Sequence, residues 1–239
     1  MKLVRFRAVL FATFGMYQSC LFSEDLSQVE QRIIEHVKTS ISNAEEGISK
    51  LDQSVLEIAG MSSCKVRHFL NNICSMEKTS YLEIGCWQGS TFVAAVCNNS
   101  EALVSAVGID NWSEFGGAKR GFCINCERFL PVNSYEFYEA DSFKFDVKSL
   151  VSNPVNVYFY DGNHSVFSHE LAFTYYNLIL DDLFIAIIDD WNWEAVQKGT
   201  KSAFEKLGYH VLYERAMPAR WNGDTENWWN GLYIAVIRK

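Results

Sequence analysis

The stretch Tyr81-Leu-Glu-Ile-Gly85-Cys-Trp-Gln-Gly89-Ser90-Thr91 decides how the rest of the chain is read. A short apolar run ends on an acid and a glycine, and a run with helical patterning follows the second glycine. Gly85 suits a tight strand-to-helix turn. Gly89 suits close approach of a ligand to the backbone where the helix begins. The spacing is Gly-x-x-x-Gly, not the Gly-x-Gly-x-x-Gly that cradles a dinucleotide pyrophosphate. Glu83 has the wrong sign for a diphosphate and the right sign for a cationic ligand, so a nicotinamide-dependent dehydrogenase is the reading that fits least. A plain strand-to-helix turn is the structural alternative.

Working outward, short runs rich in Val, Ile, Phe and Tyr recur between longer mixed segments. The pattern predicts strands at Ser80–Ile84, Leu103–Ile109, Ser134–Ala140, Val155–Tyr160, Leu183–Ile188, Tyr209–Tyr213 and Leu232–Ile237. Between them it predicts helices at Thr91–Cys97, Gly117–Phe129, Ser142–Val151, Phe167–Leu178 and Trp193–Leu207. Such alternation means an α/β fold: a Rossmann-like, doubly wound sheet of seven strands covered on both faces. The last two strands are joined by a loop, which predicts an antiparallel final strand. Upstream, Val29, Ile33, Ile34, Val37 and Ile41 repeat at helical spacing, so an amphipathic helical extension precedes the sheet. It reads as a packing or homo-oligomerisation element without chemistry.

In such a sheet, ligands bind at the carboxyl ends of the strands. The second strand runs into Asp110, placed where a ribose diol would find a hydrogen-bond acceptor. The third runs into Asp141-Ser142, where the carboxylate can accept from an adenine amino group. Each acid alone would also serve as a helix cap. The fourth strand ends Asp161-Gly-Asn163-His164, and the fifth ends Asp189-Asp190-Trp191. Neighbouring parallel strands aim Asp161, Asp189 and Asp190 at one point, and three hard oxygen donors suit octahedral Mg²⁺. Helix capping plus a solvated acid pair is the bland alternative.

The series Glu83/Gly85/Gly89/Ser90, Asp110 and Asp141/Ser142 resembles the class I S-adenosylmethionine-dependent methyltransferases, over about Tyr81 to Lys239. The resemblance implies that Glu83 and the Gly85–Gly89 backbone flank the methionine part of the cofactor, that Asp110 binds ribose and that Asp141 reaches adenine, with Ser90 and Ser142 also among the cofactor-binding residues. The later acids resemble a metal-dependent subset, the catechol- and macrocin-type O-methyltransferases. There the resemblance implies Mg²⁺ on Asp161, Asp189 and Asp190, with Asp161 and His164 as catalytic residues and His164 as base. That chemistry is coherent, because imidazole near neutrality can accept a hydroxyl proton. The implied acceptor is a small hydroxylated molecule such as a sugar or polyketide. The rivals are a metal-independent methyltransferase of the same fold and a cofactor-binding protein without turnover. The other histidines, His36, His68, His169 and His210, read as surface or satisfied residues.

The 239 residues carry a net charge of −8, and the basic residues Lys2, Arg5 and Arg7 lie near the start. An acidic body without a basic patch argues against a nucleic-acid partner. Residues 1–23 read as a signal-like or apolar segment, with an apolar stretch (Ala8–Phe22) shorter than the roughly 20 residues a spanning helix needs. A helical region at 24–78 and a methyltransferase-type domain at 79–239 follow. An exported chain sits awkwardly with a cofactor made in the cytosol, and Asn163-His164-Ser165 is a glycosylation sequon inside the expected site. Cys123-Ile-Asn-Cys126 lacks the second ligand pair of a structural zinc site, so it reads as two thiols or a local disulfide. The tryptophans Trp221, Trp228 and Trp229 before the last strand suggest a substrate lid, or packing at the sheet edge.

Overall fold

The computed structural model describes residues 26–150 and 153–239. The signal-like segment and the end of the expected Ser142–Val151 helix lie outside those residues. Seven strands form one sheet in the order β3-β2-β1-β4-β5-β7-β6. They are β1 Thr79–Ile84, β2 Leu103–Asp110, β3 Glu136–Glu139, β4 Val155–Tyr160, β5 Leu180–Ile188, β6 His210–Met217 and β7 Leu232–Arg238. The pairs β1/β2, β1/β4, β2/β3 and β4/β5 are parallel, and β7 runs antiparallel to both β5 and β6. The expected doubly wound sheet with an antiparallel last strand is therefore what the chain forms. Strand order reverses between β1 and β4, so their carboxyl ends open a crevice.

Side chains alternate across the sheet, as a period of two requires. Tyr81, Val157, Phe159, Ile185, Ile187 and Ile234 pack on one face, against α1 (Leu26–Glu45), α3 (Cys64–Ile73), α4 (Ser90–Val96) and α5 (Lys119–Phe129). Leu82, Ile84, Tyr158, Tyr160, Ile188 and Tyr233 pack on the other, beneath α6 (Val166–Thr174) and α7 (Glu194–Leu207). The core strands β1, β4 and β7 are almost wholly buried, which is why they read as continuous apolar runs. The helical extension joins the first of these cores through Val37, Ile41, Val66 and Phe69. Between α1 and α3 lies a single short turn of helix, α2 (Gln53–Leu56).

The structure departs from the expected elements at one place that matters to the site. Instead of a helix from Ser142, the chain makes only a 3₁₀ turn at Val147–Leu150. Asp141 Oδ1 accepts from Phe143 N at 3.1 Å, and Asp146 Oδ1 accepts from Lys148 N at 3.1 Å. These local side-chain bonds compete with a helical ladder. Phe143 and Phe145 turn inward onto Tyr160, Tyr175 and Tyr138 rather than lying along one helix face. Helix α5 begins at Lys119, after Gly116 and Gly117, which both have positive φ. No helix among the described residues is long and apolar enough to cross a membrane.

Candidate active site

The ends of β1, β2, β4 and β5 are laced together. Gly85 N donates to Ile109 O, Asp161 N to Ile84 O, and Asp189 N to Tyr160 O. Gly85 has φ +89°, and a Cβ there would fall 1.9 Å from the carbonyl oxygen of Asp161. Only glycine lets the first turn pass so close to the end of β4.

One cleft opens above these ends. Gly85, Asp110, Asp141 and Ser142 line one half, and Asp161, His164, Asp189 and Asp190 line the other. Glu83, Gly89 and Ser90 do not line it. Glu83 lies fully buried under the sheet, where it accepts from Tyr81 Oη at 2.5 Å and Thr91 Oγ1 at 2.7 Å. Burial pushes its carboxyl up to about 8, against the opposing pull of those two hydroxyls. At Gly89, φ is +81° and the space of a side chain is taken by the Phe122 ring, 2.9 Å from an ideal Cβ. Ser90 is buried beside Ser62.

Asp110 does more than the sequence suggested. Its Oδ2 accepts from Cys86 N and Trp87 N, both at 2.8 Å, and its Oδ1 from Trp112 N at 2.7 Å. It thus fixes the turn after β1 as well as the loop after β2. The two loops are also cross-braced: Trp112 Nε1 donates to Trp87 O at 2.8 Å and Trp87 Nε1 to Phe115 O at 3.2 Å. At the far rim, Asp141 pairs with Lys144 at 3.0 Å. That lysine lowers the Asp141 carboxyl, helped by the Phe143 N–H.

In the other half, Asp161, His164 and Asp190 each offer a ligand atom within 4.8 Å of the others. His164 Nε2 lies 2.5 Å from Asp190 Oδ2 without meeting hydrogen-bond geometry. Asp189 stands outside that group of three, buried, with Oδ1 unpartnered. Burial, then the neighbouring Asp189 and Asp190, push the Asp161 carboxyl well up. Burial and Asp190 do the same to Asp189. Carboxylates crowded with an unpaired oxygen and an imidazole nitrogen fit a divalent cation, which would neutralise what now disfavours ionisation.

Met61, Trp87 and Phe115, which the sequence did not single out, complete the walls together with Trp193, Trp229 and Asn230 from the tryptophan-rich C-terminal part. The Trp193 ring stands edge-on to His164, with centroids 4.5 Å apart. Loop tryptophans carry no periodicity, so their spatial convergence leaves no trace in the sequence. His169 is neither exposed nor satisfied. It is buried, with Nε2 unpartnered and Nδ1 3.4 Å from Thr200 Oγ1, and burial pulls it down to about 4. All six described cysteines are free thiols, including Cys123 and Cys126.

No model of a protein family matches the sequence, and no curated protein does. Solved structures match the folded chain. A cofactor-bound protein from MTB superposes with a TM-score of 0.54 at 13% identity, covering 92% of this chain and 94% of that one. An SAH-bound methyltransferase from Podospora anserina gives 0.53 at 11% identity, with 90% and 97% covered. An O-methyltransferase from Bacillus cereus in complex with SAH gives 0.50 at 13%, with 92% and 94% covered. The fold is that of the class I methyltransferases. In a doubly wound sheet the crevice beyond the carboxyl ends of the strands is where ligands bind, and here that cleft carries all the acids except Glu83 that the sequence singled out.

Proposed function

We propose that this protein transfers the methyl group of S-adenosylmethionine to a hydroxyl of a small, uncharged acceptor. The observation that carries the reading is the meeting of Asp161, His164, Asp189 and Asp190 in the same cleft as Gly85, Asp110 and Asp141. Asp110 would hold the ribose with the acceptor capacity left beside its three backbone bonds, and Asp141 and Ser142 would face the adenine. Asp161 and Asp190, with Asp189 behind them, would hold Mg²⁺. When bound, that ion supplies charge stabilisation and lowers the pKa of an acceptor hydroxyl. His164 stands at the rim of the acid group, 30% exposed at its side chain, and takes the hydroxyl proton as methyl transfer proceeds.

The charge of the cleft speaks to the acceptor. Its ionisable lining among the described residues is Asp110, Glu114, Asp141, Asp161, Asp189 and Asp190, with His164 and no lysine or arginine. Such a field favours the cationic sulfonium and disfavours a phosphate- or carboxylate-bearing acceptor. This argues against nucleic acid and for a neutral sugar, phenol or polyketide-like molecule lying against Trp193 and Trp229.

A metal-independent transfer has one observation in its favour. The Asp190 carboxylate stands beside His164 Nε2, the juxtaposition from which an acid would orient an imidazole as general base. Transfer of labelled methyl from S-adenosylmethionine to a panel of neutral sugars and phenols, with and without EDTA, separates the readings. Transfer abolished by EDTA and restored by Mg²⁺ is the expected result. Transfer indifferent to EDTA passes the chemistry to the Asp190–His164 pair. Cofactor binding without transfer to any acceptor would favour a binding protein.

A further inference from the structure

The loop between β6 and β7 is a fixed wall. Its core is Asp224, fully buried, which accepts from Arg220 Nε and Asn227 Nδ2, both at 3.0 Å, and bridges to Trp229 through the backbone. Asn192, just after β5, ties the loop at both ends. Its amide bonds Ala219 O at 2.9 Å and Ala219 N at 3.2 Å, and its backbone N–H donates to Asn230 O at 3.0 Å. Gly231, at φ +92°, permits the closeness, since a Cβ there would lie 2.4 Å from Asn192 Oδ1. Lys65 Nζ at 3.1 Å and Ser63 Oγ hold Asn227 from the helical extension. A lid has few such ties, so the expectation that these tryptophans form one does not fit this loop.

The wall delivers one polar side chain to the acid group. Asn230 Nδ2 donates to Asp190 Oδ1 at 2.6 Å, and Asn230 Oδ1 is itself fixed by Gly223 N at 2.7 Å. Asp190 has φ +56°, a backbone setting that needs support from its surroundings. We propose that Asn230 is a positioning residue: it occupies Asp190 Oδ1, so that Oδ2 alone is presented to His164 and to a cation. The inference rests on the metal reading of the site. Partners behind a ligating carboxylate set its orientation, and their removal costs affinity for the ion.

The test uses the full chain saturated with S-adenosylhomocysteine and measures Mn²⁺ binding from the electron paramagnetic resonance signal of the free ion. Asn230→Ala should weaken Mn²⁺ binding about 10–100-fold while leaving S-adenosylhomocysteine affinity as in the wild type. Asn230→Ser carries the same expectation should the alanine variant fail to fold. Unchanged Mn²⁺ affinity in a folded variant overturns the positioning role and leaves the metal reading standing. Absence of Mn²⁺ binding by the wild type overturns both.

Discussion

A side chain on Gly85 would collide with the backbone of Asp161: the distance from an ideal Cβ to that carbonyl oxygen is 1.9 Å. The turn expected to receive the cofactor and the strand end that carries the first acid are thus one packed unit. Gly85→Ala combines this collision with a positive φ, so it should lower stability by several kcal/mol (about 3 or more) and abolish S-adenosylhomocysteine binding. Gly116 has a similar φ and open space around it, so Gly116→Ala should cost only about 1–2 kcal/mol. Urea unfolding of the two variants checks the contrast. Equal losses would mean that the close approach has no energetic weight.

Asp110→Ala removes the proposed ribose acceptor together with the acceptor for three backbone N–H groups. Affinity for S-adenosylhomocysteine should fall by about 1.5–3 kcal/mol, the range for a hydrogen bond to a charged group. Calorimetry that finds unchanged affinity would remove Asp110 from the cofactor site.

Glu83 gives a pH signature of its own. Its folded-state carboxyl is raised to about 8, above its unfolded value, so the folded chain holds the proton more tightly. The stability this provides is fully present below the unfolded pKa and is lost as pH rises through the folded one. Glu83→Gln carries no such proton. Its stability relative to the wild type should therefore grow between about pH 4.5 and 8, at up to ~1.4 kcal/mol per pH unit. Melting temperatures of both proteins across that window test this, and parallel curves would show that Glu83 titrates as an ordinary acid.

His164→Ala should cut kcat about 10²–10⁴-fold with any acceptor that the wild type methylates, the usual worth of a positioned base. Cofactor affinity should stay level, since His164 stands among the acids of β4 and β5 and not beside Asp110. A variant that keeps most of its kcat would hand the proton to an aspartate or to solvent.

The sheet was legible because buried parallel strands leave runs such as Val155–Tyr160 that turn signals bracket. The acids after β2, β3, β4 and β5 were legible for the related reason that strand ends in such a sheet share one edge. Glu83 shows where that logic stops. Two residues short of the turn, it shares the face of Tyr81 and points beneath the sheet, toward Thr91. The missing helix after Asp141 was lost to side-chain bonds that periodicity does not register. Asn230, forty residues from Asp190, reaches it through a loop whose shape depends on Asp224 and Asn192. Nothing in the spacing of those residues announces it.

Isothermal titration of S-adenosylmethionine and S-adenosylhomocysteine into the purified chain tests most directly whether the cleft binds the cofactor, without knowledge of the acceptor. One site per chain is expected for each molecule, with dissociation constants of roughly micromolar order and marked weakening in Asp110→Ala. A folded wild-type chain that binds neither molecule would contradict cofactor binding by the cleft.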